Sequence, residues 1–283
     1  MVGERKWNFY RMLNYLFFIG LGIIMIYPFW HSLVGSLITF SEYSKSNILL
    51  FPHKPTFEAY AEIIRIGDIF GPLKVTMFIT IVGTAASLFM TAYTAYGLAK
   101  DFIGSSTIMT FIVLTMFING GLIPQYVLLK ELHLINTIWV YIVPVLINTF
   151  YLIIMRTHFI NFSRDLEESA KVDGCNEFGV FFKIVLPLSK PTMATIGLFY
   201  AVAYWNTFFS SIMFVTDASK KTLYVYIHKI ISNTEGSQFA TYVAFSETTK
   251  FANIIVAVLP IMLIYPFLQK YFVNGIMVGS IKG

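Results

Sequence analysis

Long charge-free apolar stretches alternate along this chain with shorter charged ones. The uncharged runs cover 12–41, 75–99, 102–129, 132–155, 191–216 and 251–269. Each is long enough for the roughly 20 residues that a membrane-spanning helix needs. The runs lack period-two alternation and are too long for barrel strands, which excludes a closed β-barrel, the only other spanning architecture. The pattern therefore predicts an all-α membrane protein of six transmembrane helices, at about 12–38, 73–99, 104–128, 136–156, 189–215 and 252–273. Glu4, Arg5, Lys6 and Arg11 precede the first run, as in a secretory signal. That run is too long for a signal, however, and Pro28, Phe29 and Trp30 stand where a small-x-small cleavage site would be, so it reads as a retained first helix. No Gly/Ser-rich or Pro-rich linker divides the chain, which implies one membrane domain over residues 1–283.

Composition strengthens this picture. Of the 283 residues, 57% are hydrophobic and 12% charged, with a mean hydropathy of +0.69, against roughly 25% charged in soluble domains. A net charge of +5 suits a face against anionic lipid and does not require nucleic acid. The single cysteine, Cys175, allows no intramolecular disulfide, and the scattered His31, His53, His133, His158 and His228 lack metal-ligand spacing. With six spans, eleven Lys and Arg fall on the side of the termini and nine on the other. This is a slight positive-inside bias, carried mainly by Arg5, Lys6 and Arg11 beside the first helix.

Three segments between spans are long. The first, about 42–72, has turn signals at Phe51-Pro52-His53-Lys54-Pro55 and then helical spacing from Glu58 to Ile66. With the termini inside, it and the segment 217–250 are external, whereas 157–190 is internal. In the internal segment Ser163 suits an N-cap, and Asp165 suits the first turn of a helix. Glu167 and Lys171 are spaced i,i+4 in the favourable orientation. Gly174 permits a turn that a Cβ would obstruct. Asn176 then starts a second short helix bearing Phe178, Phe181, Phe182 and Val185, which Pro187 stops. The expected result is two short helices joined at a glycine near the membrane surface.

Within that segment runs a gapped pattern: Glu168-Ser169-Ala170, three residues to Gly174, nine more, then Ile184-Val185-Leu186-Pro187. It resembles the EAA loop of importer-type ABC transporter permeases, departing once, with Ser169 for an alanine. Trp205-Asn206, Tyr271-Phe272-Val273-Asn274-Gly275 and the terminus Gly279-Ser280-Ile281-Lys282-Gly283 are similar to the carbohydrate-uptake branch, the second permease of the maltose-type pair. Asn119-Gly120-Gly121-Leu122-Ile123-Pro124 is similar to a sub-branch that imports complex oligosaccharides or polysaccharide fragments.

The resemblance implies a coupling-helix loop between the fourth and fifth spans, facing the cytoplasm and docking on a separate ATPase. By position it assigns Glu168, Ser169, Ala170, Asp173 and Gly174 to that contact, with Ile184, Leu186 and Pro187 anchoring the loop. Gly279, Lys282 and Gly283 would enter the ATPase dimer interface, and 217–250 would probe the sugar site of a docked binding protein. The implied partners are a second homologous permease in a heterodimer, two ATPase subunits, an extracellular or periplasmic solute-binding protein, the bilayer and a sugar. The implied location is the bacterial cytoplasmic membrane, multi-pass, with both termini cytoplasmic.

The chain has no Gly-Lys pair and hence no Gly-x-x-x-x-Gly-Lys-(Ser/Thr) phosphate cradle. ATP and Mg are therefore expected on the partner ATPase, with no cofactor or catalytic residue on this chain. Polar residues within spans are costly and mark pathway candidates: Asn119, Asn148, Asn206 and Asn253, with Trp205 beside them. Each asparagine equally suits a hydrogen bond to a neighbouring helix. The competing functions are an ABC permease for a non-sugar solute, against which the terminal Gly-x-x-Lys-Gly argues, and a stand-alone membrane enzyme or channel.

Overall fold

Apolar segments satisfy their backbone polar groups internally only by coiling into helices, and the computed structural model is helical wherever it has regular structure among the residues it describes. These are 3–45, 50–66, 68–100, 102–118, 120–162, 164–232 and 246–280, with the side chains of 3–9, 164–166 and 264–280 outside the description. In chain order the helices are α1 Gly3–Ser36, α2 Phe40–Tyr43, α3 Glu58–Ile66, α4 Phe70–Ala99, α5 Ser105–Leu114, α6 Leu122–Glu131 and α7 Thr149–Ile160. There follow α8 Arg164–Val172, α9 Glu177–Val180, α10 Leu186–Leu188, α11 Lys190–Trp205, α12 Phe209–Phe214, α13 Leu223–Ser232 and α14 Glu247–Ser280. A π-helical stretch, Phe181–Val185, joins α9 to α10, and 3-10 turns at Ile138–Tyr141 and Val143–Val145 precede α7.

The chain forms two compact units, Met1–Ile69 with Ile227–Leu259, and Phe70–Tyr226 with Pro260–Gly283. In the first unit, α1 is packed only towards its end among the side chains described. Val34 and Ile38 are buried, Ser36 Oγ pairs with the Tyr60 hydroxyl at 2.8 Å, and Gly35 lies so close to the Phe251 ring that a Cβ would meet it at 2.5 Å. Thr249 donates to Glu62 at 2.5 Å, tying α14 to α3. Earlier in α1, Tyr15, Phe17, Ile23 and Ile24 stay exposed, and no residue of its most apolar window is buried. An uncovered apolar surface of that length is a surface for lipid or protein.

In the second unit α4 is the axis, packed against α7 and α11. Small residues recur every four positions on one of its faces: Gly83, Ser87, Thr91 and Ala95. Positions four apart share a helix face, and small side chains there let helices approach closely. Tyr204 fills the space above Gly83 and pairs with Ser87 Oγ at 2.7 Å, while the Tyr200 hydroxyl pairs with Thr91 Oγ1 at 2.7 Å.

Tyr10–Ser36 and Phe70–Ala99 are single helices long and apolar enough to cross a membrane. Ile138–Val145 with Thr149–Ile160, bent by 48°, and Glu177–Leu188 with Lys190–Trp205, bent by 81°, match that length and composition only as pairs. The segment expected as a third continuous span is interrupted between α5 and α6, where Gly121 has a φ of 86°. The fifth is interrupted at 206–208, so Trp205 and Asn206 lie at the end of α11 rather than inside a helix.

Candidate functional site

The Gly174 loop is built from its helix ends. Gly174 has a φ of 85° and donates to the Lys171 carbonyl at 3.0 Å, while Cys175 donates to Ala170 at 2.9 Å. This pair of bonds is a Schellman cap that closes α8. A Cβ at Gly174 would meet nothing within 4 Å. Glycine is required there by the left-handed backbone, not by obstruction as the sequence suggested. Asn176 caps α9 as expected, its Oδ1 accepting from the Gly179 N–H at 2.8 Å. Ser163 lies outside the described residues. Pro187 does not stop the helix; it sits within α10, and the bend comes at Ser189, beyond Leu188.

The loop has two faces. Ala170, Val180, Phe181 and Val185 are buried in the core of the second unit, with Ile184 and Leu186 packed against it. Phe178 and Phe182 remain about half exposed and stack on Tyr93 and Phe89. On the other side Glu168, Ser169, Val172 and Asp173 are exposed, Val172 at 87%. Two i,i+4 pairs, 168/172 and 169/173, form this contiguous outer face, and sequence reasoning missed Val172. Its signal is an apolar side chain on an otherwise polar helix.

A charge network holds the loop to the end of α4. Lys100 donates to Glu167 and lies 4.3 Å over the Tyr96 ring, and the Tyr96 hydroxyl donates to Glu177 at 3.3 Å. Lys171 pairs with Glu177 at 2.5 Å. The i,i+4 pair expected between Glu167 and Lys171 gives way to these longer-range partners. Burial draws the Lys100 ammonium down, but hydrogen bonds to Glu167 and Tyr96 outweigh it, so its pKa is raised. The hydrogen bond from Lys171 lowers the Glu177 pKa and raises that of Lys171. Arg156 Nε donates to the Leu98 carbonyl at 2.8 Å, tying α7 to the same end. His158 contacts Ser189 at 3.1 Å, at the 81° bend, and Thr192 at 3.3 Å, in the first turn of α11.

The same unit holds a cavity of about 200 Å³ lined by Gln125, Asn148, Tyr151, Tyr200, Tyr204 and Ser210 among others. Asn148 is the N-cap of α7, accepting from the Phe150 and Tyr151 N–H groups. Asn136, with a φ of 59°, receives the Thr216 and Asp217 N–H groups beyond α12. Asp217 is held down to about 2 by the hydroxyl and N–H of Ser219 and by Lys220.

Of the pathway candidates among the described residues, Asn148 alone lines this cavity. The Asn206 side chain donates back to Val202, and Asn253 is buried in the first unit, donating to Thr249. Its Oδ1 has no partner among the described residues. Asn119, Lys282 and Gly283 lie outside the described residues, and of Gly279 only its place in α14 is described. Tyr200 and Tyr204, which the sequence reading did not select, face Thr91 and Ser87. The four-residue spacing of small residues on α4 is the signal that points to them.

The model of the family described as binding-protein-dependent transport system inner membrane component matches residues 74–278. The chain is 41% identical over 285 residues to the polygalacturonan/rhamnogalacturonan transport system permease protein YtcP of Bacillus subtilis (strain 168), covering 98% of this chain and 100% of that protein. It is 40% identical to protein LplC of the same organism, covering 97% and 95%. Among solved structures, a bacterial ABC transporter involved in the import of the acidic polysaccharide alginate contains a similar chain. The TM-score is 0.89 at 27% identity, covering 96% of this chain and 99% of that one.

Proposed function

Because the chain belongs to the family of binding-protein-dependent transport system inner membrane components, we propose that it is one of two permeases in an ATP-driven importer that carries a saccharide across the cytoplasmic membrane by alternating access. The chain is a permease of this family and not an enzyme. Transport of saccharides is what several relatives are named for, YtcP and the arabinooligosaccharide permease AraQ among them.

The observation that carries the reading is the two-faced loop around Gly174. One face is rooted in the core through Ala170, Phe181 and Val185, and the other offers Glu168, Ser169, Val172 and Asp173 outward. In this reading that outer face seats in a groove of an ATPase subunit, the loop is cytoplasmic, and six spans place both termini on the same side. ATP binding on the partner draws the two permeases' loops together. Displacement of α8 then passes through Glu167 and Lys100 to α4, and through α9 and the π-helical stretch to α11. These two helices enclose the contacts at Ser87, Thr91, Tyr200 and Tyr204, so the membrane-embedded wall shifts with the loop. A docked, loaded binding protein delivers the saccharide on the opposite side.

Co-expression with a second permease, the ATPase and the binding protein, followed by reconstitution into proteoliposomes, tests this function. The expected result is ATP-dependent saccharide uptake that Gly174→Pro abolishes while the complex still assembles. Uptake without an ATPase partner, or normal uptake in Gly174→Pro, overturns it.

A further inference from the structure

The cavity in the second unit has a chemical character that restricts its occupant. Among the described residues thirteen line it, and none of them is Asp, Glu, Lys, Arg or His. Its walls instead combine tyrosine rings and aliphatic side chains with the amides of Gln125 and Asn148 and the hydroxyls of Thr207 and Ser210. Tyr200 and Tyr204 lie near-parallel, 26° apart with centroids at 6.5 Å, and Tyr151 meets Tyr200 edge-on at 4.8 Å and 81°. The hydroxyls of Tyr200 and Tyr204 are committed to Thr91 and Ser87, so the rings are locked in place and present carbon surface. The Asn148 carbonyl oxygen is used in capping α7, which leaves its Nδ2 as a donor, and the Gln125 amide makes no side-chain hydrogen bond among the described residues.

Preset aromatic surface with a few convergent uncharged polar groups matches a pyranose ring, whose C–H faces are apolar and whose edge bears hydroxyls. The volume, about 200 Å³, is below the roughly 300–1,000 Å³ of pockets for drug-sized ligands, which suits a single ring and not an oligosaccharide. A carboxylate buried here would find no cation among the described lining residues, and an unpaired buried charge is heavily penalised. The nearby Lys220 and Lys221 are occupied by the backbone carbonyls of Asn136, Ser211 and Val215.

We propose that this cavity is a subsite for one uncharged pyranose unit of the transported saccharide, an inference that rests on the importer function above. This chain then contacts cargo itself, with Gln125 and Asn148 reading hydroxyls and the Tyr200–Tyr204 platform taking the ring face.

The test uses the assembled transporter in nanodiscs, carrying Ser210→Cys, with alkylation at position 210 followed by mass spectrometry. The probes are galactobiose and digalacturonate, which share ring geometry and differ in the carboxylate. Galactobiose is expected to slow alkylation and digalacturonate not to. Adding Ala203→Phe, which fills the cavity, is expected to remove the protection. Gln125→Leu, which keeps the volume, raises the half-protecting concentration about fivefold to tenfold for one lost hydrogen bond.

Digalacturonate protecting as well as galactobiose overturns the uncharged class. Neither sugar protecting, while wild-type proteoliposomes import saccharide, overturns the subsite and leaves the importer standing. Absence of any ATP-dependent saccharide uptake by the wild type overturns both.

Discussion

Tyr204 occupies the space that Gly83 leaves on α4: a Cβ built on Gly83 would lie 2.7 Å from Tyr204 Cζ. The ring is held there by its hydroxyl, 2.7 Å from Ser87. Replacing Gly83 by Val forces the two helices apart, at a cost of about 1–3 kcal/mol for overpacking. Tyr204→Phe keeps the ring and loses one bond between membrane helices, about 0.6 kcal/mol. The Tm of the purified complex is expected to fall clearly for Gly83→Val and only marginally for Tyr204→Phe. Equal falls would mean that the hydroxyl, not the shape, joins α4 to α11.

Lys100 and Glu167 couple the loop to the end of α4. Both are partly solvent-exposed, which limits their pair energy to about 1 kcal/mol, a factor of about five in an equilibrium. Lys100→Ala is expected to leave ATP hydrolysis in place and to lower saccharide imported per ATP about fivefold. In a double-mutant cycle Glu167→Ala adds little once Lys100 is gone.

The pH dependence of that network follows from the signs of its shifts. Lys100 is raised, so its contribution is complete below the ordinary lysine value of about 10.4 and disappears as pH climbs through the raised one. Glu177 is lowered, so its contribution is complete above about 4.3 and disappears as pH drops through the depressed value. The contributions of Lys100 and Glu177 to the network are therefore expected to be flat between about pH 6 and 9. A slope in that window, measured on the reconstituted transporter, would show that another group titrates in the loop.

Gly174 separates conformation from contact. Nothing lies within 4 Å of a Cβ there, so any penalty comes from its φ of 85°. Gly174→Asn, which tolerates that region, is expected to retain most uptake. Gly174→Val is expected to destabilise the loop by about 1–2 kcal/mol. Hydrogen exchange of α8 reads the difference.

Val172 is 87% exposed and touches little of its own chain. Val172→Asp is therefore expected to leave the Tm unchanged and to weaken binding of the ATPase subunit about tenfold or more, the scale of a buried anchor at a protein interface. Unchanged co-purification and affinity would remove Val172 from that contact.

Local features were legible in the sequence because their causes are local. The helical spacing from Glu58 to Ile66 is α3, and Asn176 caps α9. Gly174 was recognised for the wrong reason, since sequence shows that a glycine is present but not whether its neighbours or its backbone demand it. The network partners were not legible: Lys100 lies 67 positions from Glu167, and nothing in i,i+4 rules ranks it above Lys171. The interruption at Gly121 was hidden because an uncharged run reads alike whether its helix is continuous or broken. Of the cavity residues, Asn148 is legible as a polar residue within a span, whereas Tyr200 and Tyr204 are not, because small residues on another helix position them.

The 81° bend at Ser189 makes the loop and α11 a bell crank. At 1.5 Å per residue, the arm Glu177–Leu188 is about 18 Å long and the arm Lys190–Trp205 about 24 Å. His158 pins the fulcrum through Ser189 and Thr192. A push of 3 Å at the outer end of the short arm swings the far end of the long one by about 4 Å, at right angles to the push. In the proposed transport cycle, sideways travel of the loop would thereby become tilt of the wall beside Tyr204, with slight amplification and no change in either helix.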